Sequence, residues 1–217
     1  MMILPRKTDA VHRAWLYDTL QAIADDEYLP HVLYFKGGTC AAMLGWLDQF
    51  SIDLDFDYVG PADDITKVRA SLERIFTRLG LAMKDVSKRG VQYFLKYESA
   101  GRNTLKLDTD FPVAASNTYA PQRLIDIDRI LTCQTKETMF ANKLIALSAR
   151  RHIAGRDIYD IHYFFMQGFS YNIAVIQERG DESVLHFFEN LHTFIEQNVN
   201  DVVIREDLSP LLPYDTF

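Results

Sequence analysis

One stretch constrains the fold of this 217-residue chain more than any other: Ser51-Ile52-Asp53-Leu54-Asp55-Phe56-Asp57-Tyr58. Apolar residues at 52, 54, 56 and 58 alternate with aspartates at 53, 55 and 57. A period of two belongs to a strand and not to a helix. The pattern predicts a half-buried strand over 52–58, with one apolar face and three carboxylates about 7 Å apart on the other. Carboxylates that close repel one another unless a cation or a base lies between them. An Asp-x-Asp strand offers the hard oxygen ligands that Mg²⁺ prefers and leaves positions for phosphate oxygens. The competing reading is a solvated edge strand whose charges deter aggregation.

The surroundings favour chemistry. Upstream lies Phe35-Lys36-Gly37-Gly38-Thr39, at the start of a short helix predicted over 40–46 with Thr39 as its cap. Paired glycines let backbone approach a ligand closely, and a helix start presents free N–H groups to phosphate. The Walker pattern is absent. Downstream, Leu105, Leu107, Thr109 and Phe111 alternate with Lys106, Asp108 and Asp110. This second acidic strand supplies a third carboxylate, Asp108 or Asp110, and spacing does not choose between them. Such a group binds a nucleophile-side cation or deprotonates an attacking hydroxyl.

Other periodic segments predict helices over 11–24 and 63–79, a further strand over 91–98, and helices near 135–150, 156–167 and 182–198. On the first of the late helices Met139, Lys143 and Ala146 share a face, which lets Lys143 reach a triphosphate while Phe140, Leu144 and Leu147 pack. Asp157 and Asp160 stand three apart and lie together, and Arg156 with Asp160 reads as a surface ion pair. The aromatics Tyr159, Tyr163, Phe164, Phe165 and Phe169 read as helical core. The prediction is therefore mixed α/β (α+β), a core at 1–130 followed by a mainly helical region at 131–217.

Four pieces in this order resemble the AbiEii/AbiGii-type toxins (DUF1814) of the nucleotidyltransferase superfamily. They are Lys36-Gly37-Gly38-Thr39, Phe50-Ser51-Ile52-Asp53-Leu54-Asp55-Phe56, Glu137 with Ala141-Asn142-Lys143-Leu144-Ile145-Ala146-Leu147, and Arg156-Asp157-Ile158-Tyr159-Asp160. The resemblance implies a nucleotidyltransferase-like core with a small mixed sheet and Mg²⁺-dependent transfer from an NTP. In some members the acceptor is the end of a tRNA, and a cognate antitoxin is the partner; others regulate by phosphorylation. Carried over residue by residue, Lys36, Gly37, Gly38, Thr39, Ser51 and Lys143 contact the nucleotide. Asp53 and Asp55, with Asp108 by alternation, bind metal, and Asp157 is an essential acid. Gln49 stands where the family often has Arg. Two alternatives stay open: a kinase-like transfer of the γ-phosphate to a protein serine, and a non-catalytic nucleotide- or partner-binding module.

Composition narrows the rest. Cys40 and Cys133 form no CxxC pair, the six histidines form no metal motif, and Ser51 sits in no GxSxG elbow. No apolar run is long enough to cross a membrane, and the N-terminus does not read as a signal peptide, so the expected location is the cytoplasm. The net charge is −7, which disfavours a generic nucleic-acid binder. The charge is segregated, however: residues 67–106 carry 10 basic and 3 acidic side chains, while 1–66 carry 4 and 11. A local RNA contact on the basic block, with Lys84, Lys88 and Arg89 as its centre, is therefore compatible with the total.

Overall fold

The computed structural model describes residues 9–86, 91–98, 103–149, 155–180 and 183–199. Lys88, Arg89, Arg150, Arg151 and His152 lie outside them.

The described residues form two compact units. The first holds those up to Val113 together with Tyr119–Gln134; the second holds Ala114–Thr118 and those from Thr135 onward.

The first unit is built on a seven-stranded sheet of β1 (Leu33–Lys36), β2 (Asp53–Tyr58), β3 (Ala82–Val86), β4 (Val91–Lys96), β5 (Thr104–Asp110), β6 (Tyr119–Leu124) and β7 (Arg129–Gln134). Their order across the sheet is β3-β4-β5-β2-β1-β7-β6. β2 pairs parallel with β5 and antiparallel with β1, while β1 and β7 are parallel. The helices of this unit are α1 (Asp9–Ala24), α2 (Leu29–Val32), α3 (Gly37–Met43) and α4 (Ile65–Leu79).

The predicted alternation of β2 fixes which face is which. Leu54 pairs with Leu107 of β5, which pairs with Tyr93 of β4. All three are fully buried, and the Tyr93 ring meets Phe76 of α4 edge-on at 5.0 Å. The apolar face therefore lies under α1 and α4, and Asp53, Asp55, Lys106, Asp108, Gln92 and Phe94 occupy the opposite face. α4 buries Val68, Leu72, Ile75 and Phe76 at helical spacing and ends at Gly80, whose φ of 73° closes a left-handed cap on Phe76 and Thr77. Cys40 and Cys133 are both buried and free, and burial beside the other thiol pushes the Cys40 thiol well up.

The second unit contains α5 (Lys136–Ser148), α6 (Gly155–Met166), α7 (Ile173–Gly180) and α8 (Val184–Asn198). Thr135 caps α5 by accepting from the Thr138 N–H. Phe140 and Phe164 meet edge-on at 5.0 Å in its core. Phe165, expected in that core, is 47% exposed. Segment 114–118 is tied down by α7: Glu178 accepts from the backbone N–H of Ala115 and Ser116, and the Asn172 side-chain amide donates to the Ser116 carbonyl.

Four elements escape the sequence pattern. β6 carries Pro121, which reads against a strand and is tolerated because β6 is the sheet edge. β3 and β7 lack clean alternation, and α7 is only eight residues long. One boundary also moves. α3 starts at Gly37, so Thr39 lies inside it and does not cap it.

Candidate active site

The site grows from β2. Its parallel register with β5 sets Asp55 opposite Asp108 and Asp53 opposite Lys106. Paired residues share a face, so Asp53, Asp55 and Asp108 form one acidic group around the Lys106 ammonium. The register answers what spacing leaves open: Asp108 is the neighbour of Asp55, whereas Asp110 pairs with Asp57 and is largely exposed.

Burial pushes the Asp55 carboxyl up to about 6, helped by the charges of Asp53 and Asp108 and opposed by those of Lys106 and Lys36. Desolvation pulls the Lys106 ammonium down, but Asp108, Asp55 and Asp53 outweigh it and the net shift is upward. Asp108 Oδ2 accepts from Lys106 Nζ at 2.7 Å and from Gln92 Nε2 at 3.0 Å.

The third carboxylate of β2 has a different job. Asp57 is buried and takes three donors: Lys36 Nζ at 2.7 Å, the Tyr119 hydroxyl at 2.7 Å and Gln134 Nε2 at 3.1 Å. It ties β2 to β1, β6 and β7. Lys36 is thus engaged by Asp57.

The glycine turn sits against this cluster. Gly37 has φ +78°, and a Cβ there would lie 2.5 Å from Asp55 Oδ2; one at Gly38 would lie 3.2 Å from Ser51 Oγ. Both backbone conformation and proximity exclude a side chain at 37. Gly37→Ala is therefore expected to cost about 2 kcal/mol or more in stability and to displace Asp55, which thermal melts and a Mg²⁺ titration would register together. Unchanged melting and Mg²⁺ dependence would refute the tight fit.

Two side chains pin the backbone on either side of the Asp53 Cα. The Thr39 hydroxyl, fully buried, is hydrogen-bonded to the Asp53 carbonyl and to Ser51 Oγ. Its hydroxyl therefore serves β2. On the preceding peptide, buried His12 places Nε2 2.8 Å from the Ile52 carbonyl, with Nδ1 against the Tyr97 hydroxyl. A carbonyl only accepts, so Nε2 carries the proton. His12 gave no signal in the sequence beyond its place on α1, and Lys106 and Gln92 were visible only as same-face neighbours. Gln49 is buried.

In the second unit Lys143 of α5 pairs with Asp160 of α6. Asp160 is almost wholly buried, and burial raises its carboxyl against the pull of Lys143. The expected Arg156–Asp160 surface pair is not the arrangement, because Asp160 faces inward and Arg156 is exposed. Asp157 is buried one turn earlier on α6.

Among the described residues no three acidic, histidine or cysteine side chains already converge into a metal cage. Mg²⁺ does not require one, since it is commonly held by one or two carboxylates with phosphate oxygens and water. Asp53 and Asp55 fit that donor set. Their mutual repulsion is the kind a divalent ion relieves, and the missing Cβ at Gly37 lets the backbone lie directly against the Asp55 carboxylate.

The sheet, its acidic face and the trailing helical unit define a nucleotidyltransferase fold. The chain belongs to the family described as nucleotidyl transferase AbiEii toxin, type IV toxin–antitoxin system, whose model matches residues 18–213. Three solved structures share the fold. JHP933 from Helicobacter pylori is 18% identical, with a TM-score of 0.59 over 94% of this chain and 83% of its own. The nucleotidyltransferase toxin MenT4 from Mycobacterium tuberculosis is also 18% identical, with a TM-score of 0.55 over 78% of this chain and 62% of its own. The antibiotic-resistance factor ANT(2'')-Ia is 15% identical, with a TM-score of 0.53 over 87% and 97%. No curated protein sequence matches. The protein is accordingly a nucleotidyltransferase of the toxin type. No helix among the described residues is long and apolar enough to cross a membrane.

Proposed function

We propose that this enzyme transfers an NMP from an NTP to the terminal hydroxyl of an RNA, a tRNA 3′ end in the reading its family suggests, in the cytoplasm and under the control of a cognate antitoxin. The observation that carries the proposal is the β2–β5 register, which puts Asp108 beside Asp55, two residues from Asp53, with side-chain-free Gly37 against the same carboxylate.

Asp53 and Asp55 would hold Mg²⁺, which when bound supplies positive charge to the triphosphate oxygens. Gly37 and Gly38 receive the β- and γ-phosphates on the β1 side. Asp108 accepts the proton of the attacking hydroxyl, and Lys106 holds that carboxylate in place. The acceptor oxygen bonds to the α-phosphorus as the bond to the bridging oxygen breaks, and pyrophosphate leaves. Roles for Lys143 at the triphosphate and for Asp157 as an essential acid rest on the family resemblance.

The test is incubation with each NTP labelled at the α-phosphate and, in parallel, at the γ-phosphate, with Mg²⁺ and a cell extract that holds both RNA and protein, followed by nuclease mapping of the RNA. Label confined to 3′ ends is expected. Label on a protein serine, traced to the γ-phosphate, would replace the proposal with the kinase-like reaction.

A further inference from the structure

The acidic face of the sheet does not stop at the carboxylates. Next to Asp108 on β4 is Gln92, and the following rows on this face pair Lys106 with Phe94 and Thr104 with Lys96. Phe94 is half-buried on a face it shares with Asp, Gln and Lys, and its ring meets no other ring among the described residues. Lys96 is exposed and has no acidic partner among the described residues. A Phe on a polar sheet face, with Lys106 opposite it on β5, Lys96 two residues on and Asp85 opposite it on β3, has the make-up of a platform for a single-stranded nucleic acid: bases stack on the ring and phosphates meet the ammonium groups.

The direction of the chemistry says which nucleic acid. In an in-line displacement the attacking oxygen and the leaving pyrophosphate lie on opposite sides of the α-phosphate. Gly37 and Gly38 lie at the end of β1, on one side of β2; β5 and β4 lie on the other. If the pyrophosphate departs toward the glycines, the acceptor arrives over β5 and β4. Successive rows on one face are about 7 Å apart, a distance comparable to one extended nucleotide. The terminal hydroxyl then stands at the Asp108 row, the last base at Phe94, and the preceding phosphate at Lys96.

We propose that the β4–β5 face formed by Phe94, Lys96 and Thr104 is the acceptor site and that it takes the single-stranded 3′ end of an RNA. The inference deepens the proposed function and rests on its assignment of the phosphate side.

The experiment is fluorescence anisotropy of the full-length protein with a fluorescein-labelled single-stranded ten-nucleotide RNA bearing a free 3′ hydroxyl. Calorimetry with NTP·Mg²⁺ and transfer assays run in parallel. Phe94→Ala is expected to weaken RNA binding about 5–100-fold, in line with the loss of one stacked base, and Phe94→Tyr to restore it. Lys96→Ala is expected to flatten the dependence of log Kd on log salt by about 0.7, the value of one single-strand phosphate contact. NTP·Mg²⁺ affinity should stay unchanged in both variants. Unaltered RNA binding by Phe94→Ala and Lys96→Ala overturns the inference. So does a loss confined to NTP affinity, which would give Phe94 to the incoming nucleotide. A wild-type protein that binds the RNA through Phe94 but transfers nothing would instead overturn the proposed reaction and leave the RNA site standing.

Discussion

Asp55→Asn is expected to lower nucleotidyl transfer on the order of 10³-fold while raising the melting temperature of the metal-free protein at pH 7.5. The two effects have one cause. Asp55 sits desolvated beside Asp53 and Asp108, and its carboxyl is pushed up from 3.8 to about 6. A folded-state pKa above the unfolded one means that ionising the group opposes folding. The penalty is absent below about pH 4, grows as pH rises toward 6, and is complete above it. The shift corresponds to on the order of 1–3 kcal/mol, or several degrees of melting temperature for a chain of this size. The amide keeps the shape and removes the charge, so the variant should melt higher at pH 7.5 and match the wild type near pH 4. Mg²⁺ should stabilise the wild type by mass action and leave the variant unmoved. Equal melting at pH 7.5 would contradict the buried charge at Asp55, and a Mg²⁺ response that survives the substitution would contradict its proposed role as a metal ligand.

The second large effect lies in the helical unit. Lys143→Ala is expected to destabilise the protein by about 3 kcal/mol or more, because it removes the ammonium that pairs with the buried Asp160 carboxylate. Adding Asp160→Asn should recover most of the loss, since a neutral amide costs far less to bury. The doubly substituted protein then separates two roles of Lys143. If the ammonium also serves the triphosphate, the double variant folds and stays inactive. If it regains wild-type transfer, Lys143 is an internal strut only. Thermal melts alongside transfer assays give both readings from the same samples.

These expectations show where a sequence is informative. The two acidic strands were legible because their alternation is strict: β2 and β5 each place apolar residues on one face and charged ones on the other. Asp53 and Asp55 followed directly. What remained hidden depends on partners distant in the chain. Asp108 and Asp110 are equivalent in spacing, and only the parallel pairing with β2 separates them. Asp57 matches Asp53 and Asp55 by pattern, yet it is a buried joint because Lys36, Tyr119 and Gln134 converge on it from three other strands. Thr39 has a cap-like position, but its hydroxyl turns to Asp53 once α3 packs on β2. Asp160 has an arginine four residues before it, and the fold buries its carboxyl against Lys143 of α5. In each case the deciding partner lies on another element and is set by tertiary packing. His12 and Phe94 lay beyond local pattern altogether, one on α1 behind β2 and the other on the face that continues from Asp108.

In the proposed reaction Asp53 and Asp55 serve transfer of a nucleotide, not of a phosphate, onto RNA. The most direct measurement pairs α-labelled with γ-labelled NTP, using wild-type, Asp53→Ala and Asp55→Asn proteins, total RNA and Mg²⁺. Wild-type protein is expected to incorporate the α-label alone, the acceptor to gain the mass of one or more NMP units, and both variants to fold yet leave the RNA unlabelled. Incorporation of the γ-label, or undiminished transfer by a correctly folded Asp55→Asn protein, would contradict that reaction.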